Sequence, residues 1–94
     1  MRFLAGTTDI PNAGTRVQIS NTADKVKTIA VRGRVGNTGN VYFGVSDVAS
    51  TTGWELEPGD YKSVDFGEGS VPLSVFFVDA ATNGDDVDWA VVLY

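Results

Sequence analysis

The side chains of this chain that could do chemistry are carboxylates, because the sequence contains no histidine and no cysteine. The commonest general base, the imidazole and thiolate metal ligands and the most readily activated nucleophile are all missing. Asp60 with Asp65, or Glu55 with Glu57, have spacings from which a glycosidase-like acid and base could be built. Such a pair needs one member with a raised pKa inside a cleft. These four lie on turn and strand positions that read as solvated surface. The serines Ser20, Ser46, Ser50, Ser63, Ser70 and Ser74 have no histidine to activate them, and no glycine-rich phosphate loop opens onto a helix. The composition points away from an enzyme.

Binding chemistry has more to work with. Asp79, Asn83, Gly84, Asp85, Asp86 and Asp88 crowd ten positions, and calcium favours clustered carboxylate and amide oxygens. Their spacing matches no EF-hand loop. The preferred reading makes Asn83-Gly84 a tight hairpin turn whose tip the aspartates solvate. A calcium site at Asp79, Asp85, Asp86 and Asp88 is the weaker candidate, and no cofactor is expected. Tyr42, Trp54 and Tyr61 could form an aromatic platform for a glycan or a protein, although alternation with apolar neighbours favours core filling, above all for Trp54 and Trp89. Arg32 and Arg34 share one strand face and read first as a solvated or edge-protecting pair.

The elements that must position these residues are strands. Apolar residues alternate with polar ones at Val17 and Ile19, at Ile29, Val31, Gly33 and Val35, at Val41, Phe43 and Val45, at Trp54 and Leu56, and at Val64 and Phe66. The pattern resumes at Val71, Leu73, Val75 and Phe77, with Phe76 and Val78 on the reverse face, so this stretch is expected near a sheet centre. Val87, Trp89, Val91 and Leu93 form the last strand. Asn37-Thr38-Gly39-Asn40 reads as a hairpin turn and Pro58-Gly59-Asp60 as a second turn. A chain of 94 residues closes one core. The expectation is an all-β domain, an antiparallel β-sandwich or jelly roll of about seven to eight short strands. Residues 15–94 are expected to form it, with 1–14, rich in turn residues, as an N-terminal arm or edge strand. No internal repeat is visible.

The net charge is −5, which argues against nucleic-acid binding. Residues 1–34 carry six basic and two acidic side chains, 6 − 2 = +4, and residues 35–94 one basic and ten acidic, 1 − 10 = −9. The basic first third could meet an acidic docking surface or another copy of the chain, unless folding interleaves the halves. No apolar run is long enough for a membrane span, and the first residues do not form a secretory signal, so synthesis in the cytosol is expected. With no cysteine to staple it, a domain this small is a candidate for self-association.

The order Asn37-Thr38-Gly39-x-Val41-Tyr42-Phe43-Gly44, Gly53-x-x-Leu56-x-Pro58-Gly59-Asp60, Phe77-Val78-Asp79-Ala80 and the terminal strand resembles a family of small tailed-bacteriophage virion proteins, over roughly residues 15–94. In that family the pattern marks a compact β-sandwich that serves as a capsid decoration or cement protein, or as a module of head-fibre and tail proteins. The resemblance implies a non-enzymatic subunit, a homotrimer, made in the host cytoplasm and added to the outside of a phage head, where its partner is the major capsid protein. Arg2, Phe3, Leu4, Ile10, Arg16, Arg32 and Arg34 are the expected capsid or subunit contacts. The alternative is a tail or fibre adhesin using Tyr42, Trp54 or Tyr61.

Overall fold

The alternating pattern becomes two facing antiparallel sheets in the computed structural model, which describes residues 2–49, 51–66 and 71–94. The strands are β1 (Arg2–Ile10), β2 (Val17–Gln18), β3 (Lys25–Gly33), β4 (Val41–Gly44), β5 (Trp54–Leu56), β6 (Tyr61–Asp65), β7 (Val71–Pro72), β8 (Phe77–Ala80) and β9 (Asp85–Leu93). One sheet runs β1-β9-β3-β6, with β7 continuing the β6 side of β3; the other runs β2-β8-β4-β5. No α-helix occurs among the described residues. The all-β sandwich read from the sequence is the observed architecture.

Inward-facing residues of the two sheets meet in one core. β3 contributes Val26, Ile29 and Val31, β9 contributes Val87, Val91 and Leu93, and β1 contributes Ile10; Val41, Phe43, Leu56, Val78 and Ala80 face them from the other sheet. Full burial of each aliphatic side chain stabilises the fold by about 1.5–3 kcal/mol before entropy is subtracted. Phe76 stacks on Phe43 with ring centroids 5.6 Å apart and closes one end.

The 71–78 stretch departs from expectation, and Pro72 begins the departure. Proline has no N–H for a ladder, and after it the chain makes a 3-10 turn at Leu73–Val75 before re-entering extended structure at Phe77. One expected strand therefore becomes β7 in the larger sheet and β8 in the smaller, and the strands among the described residues number nine. β8 does lie inside its sheet, between β2 and β4. Two turns read as hairpins are instead crossings between sheets: residues 34–40 carry the chain from β3 to β4 and residues 81–84 from β8 to β9, and neither strand pair is hydrogen-bonded. Val35, expected inward, lies beyond the end of β3 and is 75% exposed. Residues 2–10 form an edge strand of the domain's own five-stranded sheet, paired with β9 along all nine residues.

Candidate functional site

The outer face of the five-stranded sheet is built from strand positions that alternate with the core. Register places Ala5, Ala90, Ala30 and Ser63 side by side across β1, β9, β3 and β6, with Phe3, Val92, Thr28 and Asp65 in a flanking row and Thr7, Asp88, Arg32 and Tyr61 in the other. An antiparallel sheet that turns one face to water ordinarily covers it with polar side chains. Here the central row is three alanines and a serine, and Phe3 and Tyr61 at its corners are 68% and 73% exposed. A shallow depression of about 160 Å³ lies over this surface, between Tyr61 and the Ala30–Ala90 pair.

The polar row is electrostatically closed. Asp88 accepts hydrogen bonds from Arg32 at 2.6 Å and Thr7 at 2.8 Å, and Arg34 lies 3.7 Å away. Burial pushes the Asp88 carboxyl upward, but the Arg32 and Thr7 hydrogen bonds and the two guanidinium charges outweigh it and hold it below the usual range. Asp86 goes the other way, raised by burial, by the hydrogen bond it shares with Asp9 and by that neighbour's charge, against a smaller lowering by Arg34. The charge asymmetry of the sequence is thus partly cancelled in the fold, because β3 and β9 place arginines of the first third on an aspartate of the last.

The acidic cluster is taken up by backbone. Asp85, only 5% exposed, accepts the N–H groups of Thr38 at 3.0 Å and Gly39 at 2.9 Å. Asp79, 3% exposed, accepts those of Gly14 at 3.0 Å and Ala80 at 2.8 Å. The Asn37 amide donates to the Asp86 carbonyl at 2.8 Å and accepts the Asp86 N–H at 2.9 Å, imitating one rung of a ladder. Asp79, Asp85, Asp86 and Asp88 therefore do not converge, and among the described residues no group of three or more such side chains is arranged to hold a metal ion. Glu55, Glu57, Asp60 and Asp65 are all exposed.

The three aromatics of the expected platform are separated. Tyr42 is 6% exposed in the four-stranded sheet, where burial and the charges of Glu55 and Asp79 hold its phenol above the ordinary value. Tyr61 stands on the outer face of the other sheet. Trp54, 44% exposed, is not core: the three-residue edge strand β5 leaves its ring between Phe43, 6.2 Å away, and the Lys62 ammonium, 5.1 Å from the ring centroid. It borders an apolar cleft of about 350 Å³ lined by Phe43, Val48, Phe66 and Phe76.

Among the expected contacts, Phe3 is exposed, Arg16 lies on the exposed turn after β1, and Arg2 is ion-paired with Asp24 at 2.7 Å. Arg32 and Arg34 share Asp88 and remain half-exposed. Ile10 is wholly buried, and Leu4 is partly buried against the core. The even-numbered residues of β1 point inward, an assignment that sequence reading of 1–14 as turn-rich could not make. That reading also missed the alanine row. Its signal was the small apolar residues Ala30 and Ala90 at outward strand positions, where polar side chains are usual.

No protein-family model matches this chain, and no curated protein or solved structure matches it.

Proposed function

We propose that this chain is a non-enzymatic virion structural protein, a capsid decoration or cement subunit that binds the outer surface of a phage head and stabilises the lattice. The observation that carries the reading is the outer face of the five-stranded sheet, lined with small side chains at its centre and aromatic at two corners. A surface of this kind gains by being covered: it brings apolar area to a partner at little cost in side-chain entropy. The half-exposed Arg32 and Arg34 at its rim would select an acidic patch on the major capsid protein. The buried aspartates that tie the inter-sheet crossings serve rigidity, which a clamp across lattice joints needs. The absence of histidine and cysteine from the sequence fits a subunit without catalysis. Self-association belongs to the same reading, and no helix among the described residues is long and apolar enough to cross a membrane.

Gold-labelled chain added to purified particles tests the proposal by electron microscopy. Label over the whole head, reduced about tenfold or more by Ala30→Glu with Ala90→Glu in a folded variant, is the expected result. Label confined to tail tips or fibres overturns it. One observation favours that second reading, a tail or fibre adhesin: the apolar cleft beside half-exposed Trp54. A glycan-array signal abolished by Trp54→Ala in a folded protein would promote it.

A further inference from the structure

The outer face of the four-stranded sheet carries a cavity with two buried polar side chains in its wall. Val41 and Phe43 turn into the core, so Tyr42 between them turns outward. Register sets it between Asp79 on β8 and Glu55 on β5. The turn after β1 crosses this face and is pinned there by the Gly14 N–H, which donates to Asp79 Oδ1 at 3.0 Å. With Tyr42 and Asp79, Ala13, Ala49, Ala80 and Ala81 line a cavity of about 410 Å³.

Tyr42 is 6% exposed, and no hydrogen bond among the described residues ends on its hydroxyl. Asp79 is 3% exposed; its Oδ1 accepts both the Gly14 and the Ala80 N–H, and among the described residues Oδ2 accepts none. No side-chain oxygen of the described residues is both sealed from solvent and unpaired, so these two open to the cavity that their side chains line. Polar groups this far from bulk water ordinarily find a partner. The charges around the cavity call for a cation. Among the described residues the ion pairs join Arg2 to Asp24 and Arg32 and Arg34 to Asp88, and none reaches Asp79 or Glu55. Arg16, at the end of the covering turn, is exposed and pairs with neither.

We propose that this cavity binds a protonated primary amine on a short apolar stem, the ammonium held by Asp79 Oδ2 and the Tyr42 hydroxyl oxygen and the stem lying along the alanines. The donor set selects this cation over others. A guanidinium fork is best matched by two free carboxylate oxygens, and Asp79 has only one to offer. Calcium takes about six to eight oxygen ligands, far more than this wall supplies. An ammonium is a compact charge whose donors can meet a carboxylate oxygen, a phenol oxygen and water separately. Glu55 adds negative potential from the next strand. The site lies on the sheet opposite the alanine row, so it stands independently of head binding.

n-Butylamine, protonated at neutral pH, is the probe, and nuclear magnetic resonance of the Ala49 and Ala80 methyl groups is the readout. Saturable shifts are expected, with a dissociation constant on the order of 1 mM for so small a ligand. n-Butanol, of the same length without the charge, should bind about tenfold more weakly or worse, and n-butylguanidine no better than the amine. Nα-acetyl-lysine methylamide distinguishes the sources of the ammonium: tighter binding than n-butylamine assigns it to a lysine of a partner protein, weaker binding to a free amine. Tyr42→Phe should keep the parental Tm, because the hydroxyl has no protein partner to lose, and should weaken the amine about threefold or more. Asp79→Asn keeps an acceptor for the Gly14 and Ala80 N–H groups and should weaken it about tenfold. If Asp79→Asn does not fold, Tyr42→Phe decides alone. The inference is overturned by the absence of saturable shifts, by n-butanol or n-butylguanidine matching or exceeding the amine, or by amine binding unchanged in Tyr42→Phe.

Discussion

Asp85 holds Gly39 across the sandwich. Its Oδ2 accepts the Gly39 N–H at 2.9 Å while its Oδ1 accepts that of Thr38 at 3.0 Å, so the first residue of β9 fixes the crossing that leads into β4. Gly39 is also held close to the neighbouring crossing, where an added Cβ would lie 2.7 Å from Thr82 Oγ1. One carboxylate thereby ties two inter-sheet connections together at the same end of the molecule.

Removing that carboxylate strands two backbone donors in a part-buried setting. Asp85→Ala is expected to cost about 2–4 kcal/mol, because an unpaired donor that water reaches poorly keeps its desolvation penalty. For a domain of this size the loss corresponds to about 10–20 °C in Tm. Asp85→Asn retains one acceptor oxygen and should lose about half as much. Thermal melts check the order, and a Tm unchanged by calcium or chelator should accompany it. A calcium-dependent rise abolished by Asp85→Asn would restore the metal reading of the acidic cluster.

The fold class was legible because period-two alternation is a direct image of strands with one buried face, and Ile29 and Val31, or Val87, Val91 and Leu93, show it in order. The crossings were not legible for a definite reason. Asn, Gly and Asp supply turns equally well within a hairpin and between sheets, and what distinguishes Asn37-Thr38-Gly39-Asn40 is a set of hydrogen bonds to residues 46 to 49 positions away. Pro72 was a readable break in the 71–78 run and was outweighed by the pattern around it. The outer alanine row needed register, which no single strand contains. Trp54 was misplaced because its alternation with Leu56 is that of a core strand, but β5 has a neighbour on one side only.

Gly6 leaves room for an indole. A Cβ there would lie 2.8 Å from Trp89 Cζ2, and the ring it would displace donates its Nε1–H to Thr8 Oγ1 at 3.2 Å. Gly6→Ala should destabilise the domain by about 1–3 kcal/mol through overpacking. Trp89 fluorescence, read in a Trp54→Phe background, should shift to the red as the ring moves outward. An unshifted emission with unchanged stability would show that β1 gives way instead.

Gly53 is constrained twice. Its φ of +113° is one that side chains rarely adopt, and an added Cβ would lie 2.7 Å from the Phe43 carbonyl oxygen and 2.9 Å from Val48 Cγ2. Gly53→Ala is expected to cost about 2 kcal/mol or more and to open the apolar cleft beside Trp54. Stability by denaturant titration tests the first part and binding of an environment-sensitive dye the second; full stability in the variant would contradict the fit.

Leu93 is wholly buried on β9, the strand between β1 and β3. Leu93→Ala should cost about 2–5 kcal/mol. Deleting residues 91–94 removes Val91 as well, together with the hydrogen bond from the Tyr94 N–H to the Lys25 carbonyl at 3.1 Å, and should leave the chain unfolded. Far-ultraviolet circular dichroism distinguishes the two results. A folded deletion variant would mean that β1 and β3 can close the sheet without the end of β9.

Asp86 and Asp88 lie two residues apart on one sheet face and should drive stability in opposite directions with pH. Asp88 has a folded pKa below its ordinary 3.8, so its contribution is present above that value and is lost as pH falls through the depressed one. Asp86 has a folded pKa above 3.8; its favourable state is the protonated one, fully present below 3.8 and lost as pH rises through the raised value. Near neutral pH the charged Asp86 therefore works against the fold while Asp88 supports it. Asp86→Asn should raise Tm near neutral pH and bring no gain once acid has protonated the native side chain. Asp88→Asn should lower Tm near neutral pH, with the deficit closing in strong acid. Melting curves of the two variants and the parent across this range give the comparison, and a neutral-pH Tm that falls in both variants would mean that Arg34 compensates Asp86 more fully than its repulsion with Asp9 allows.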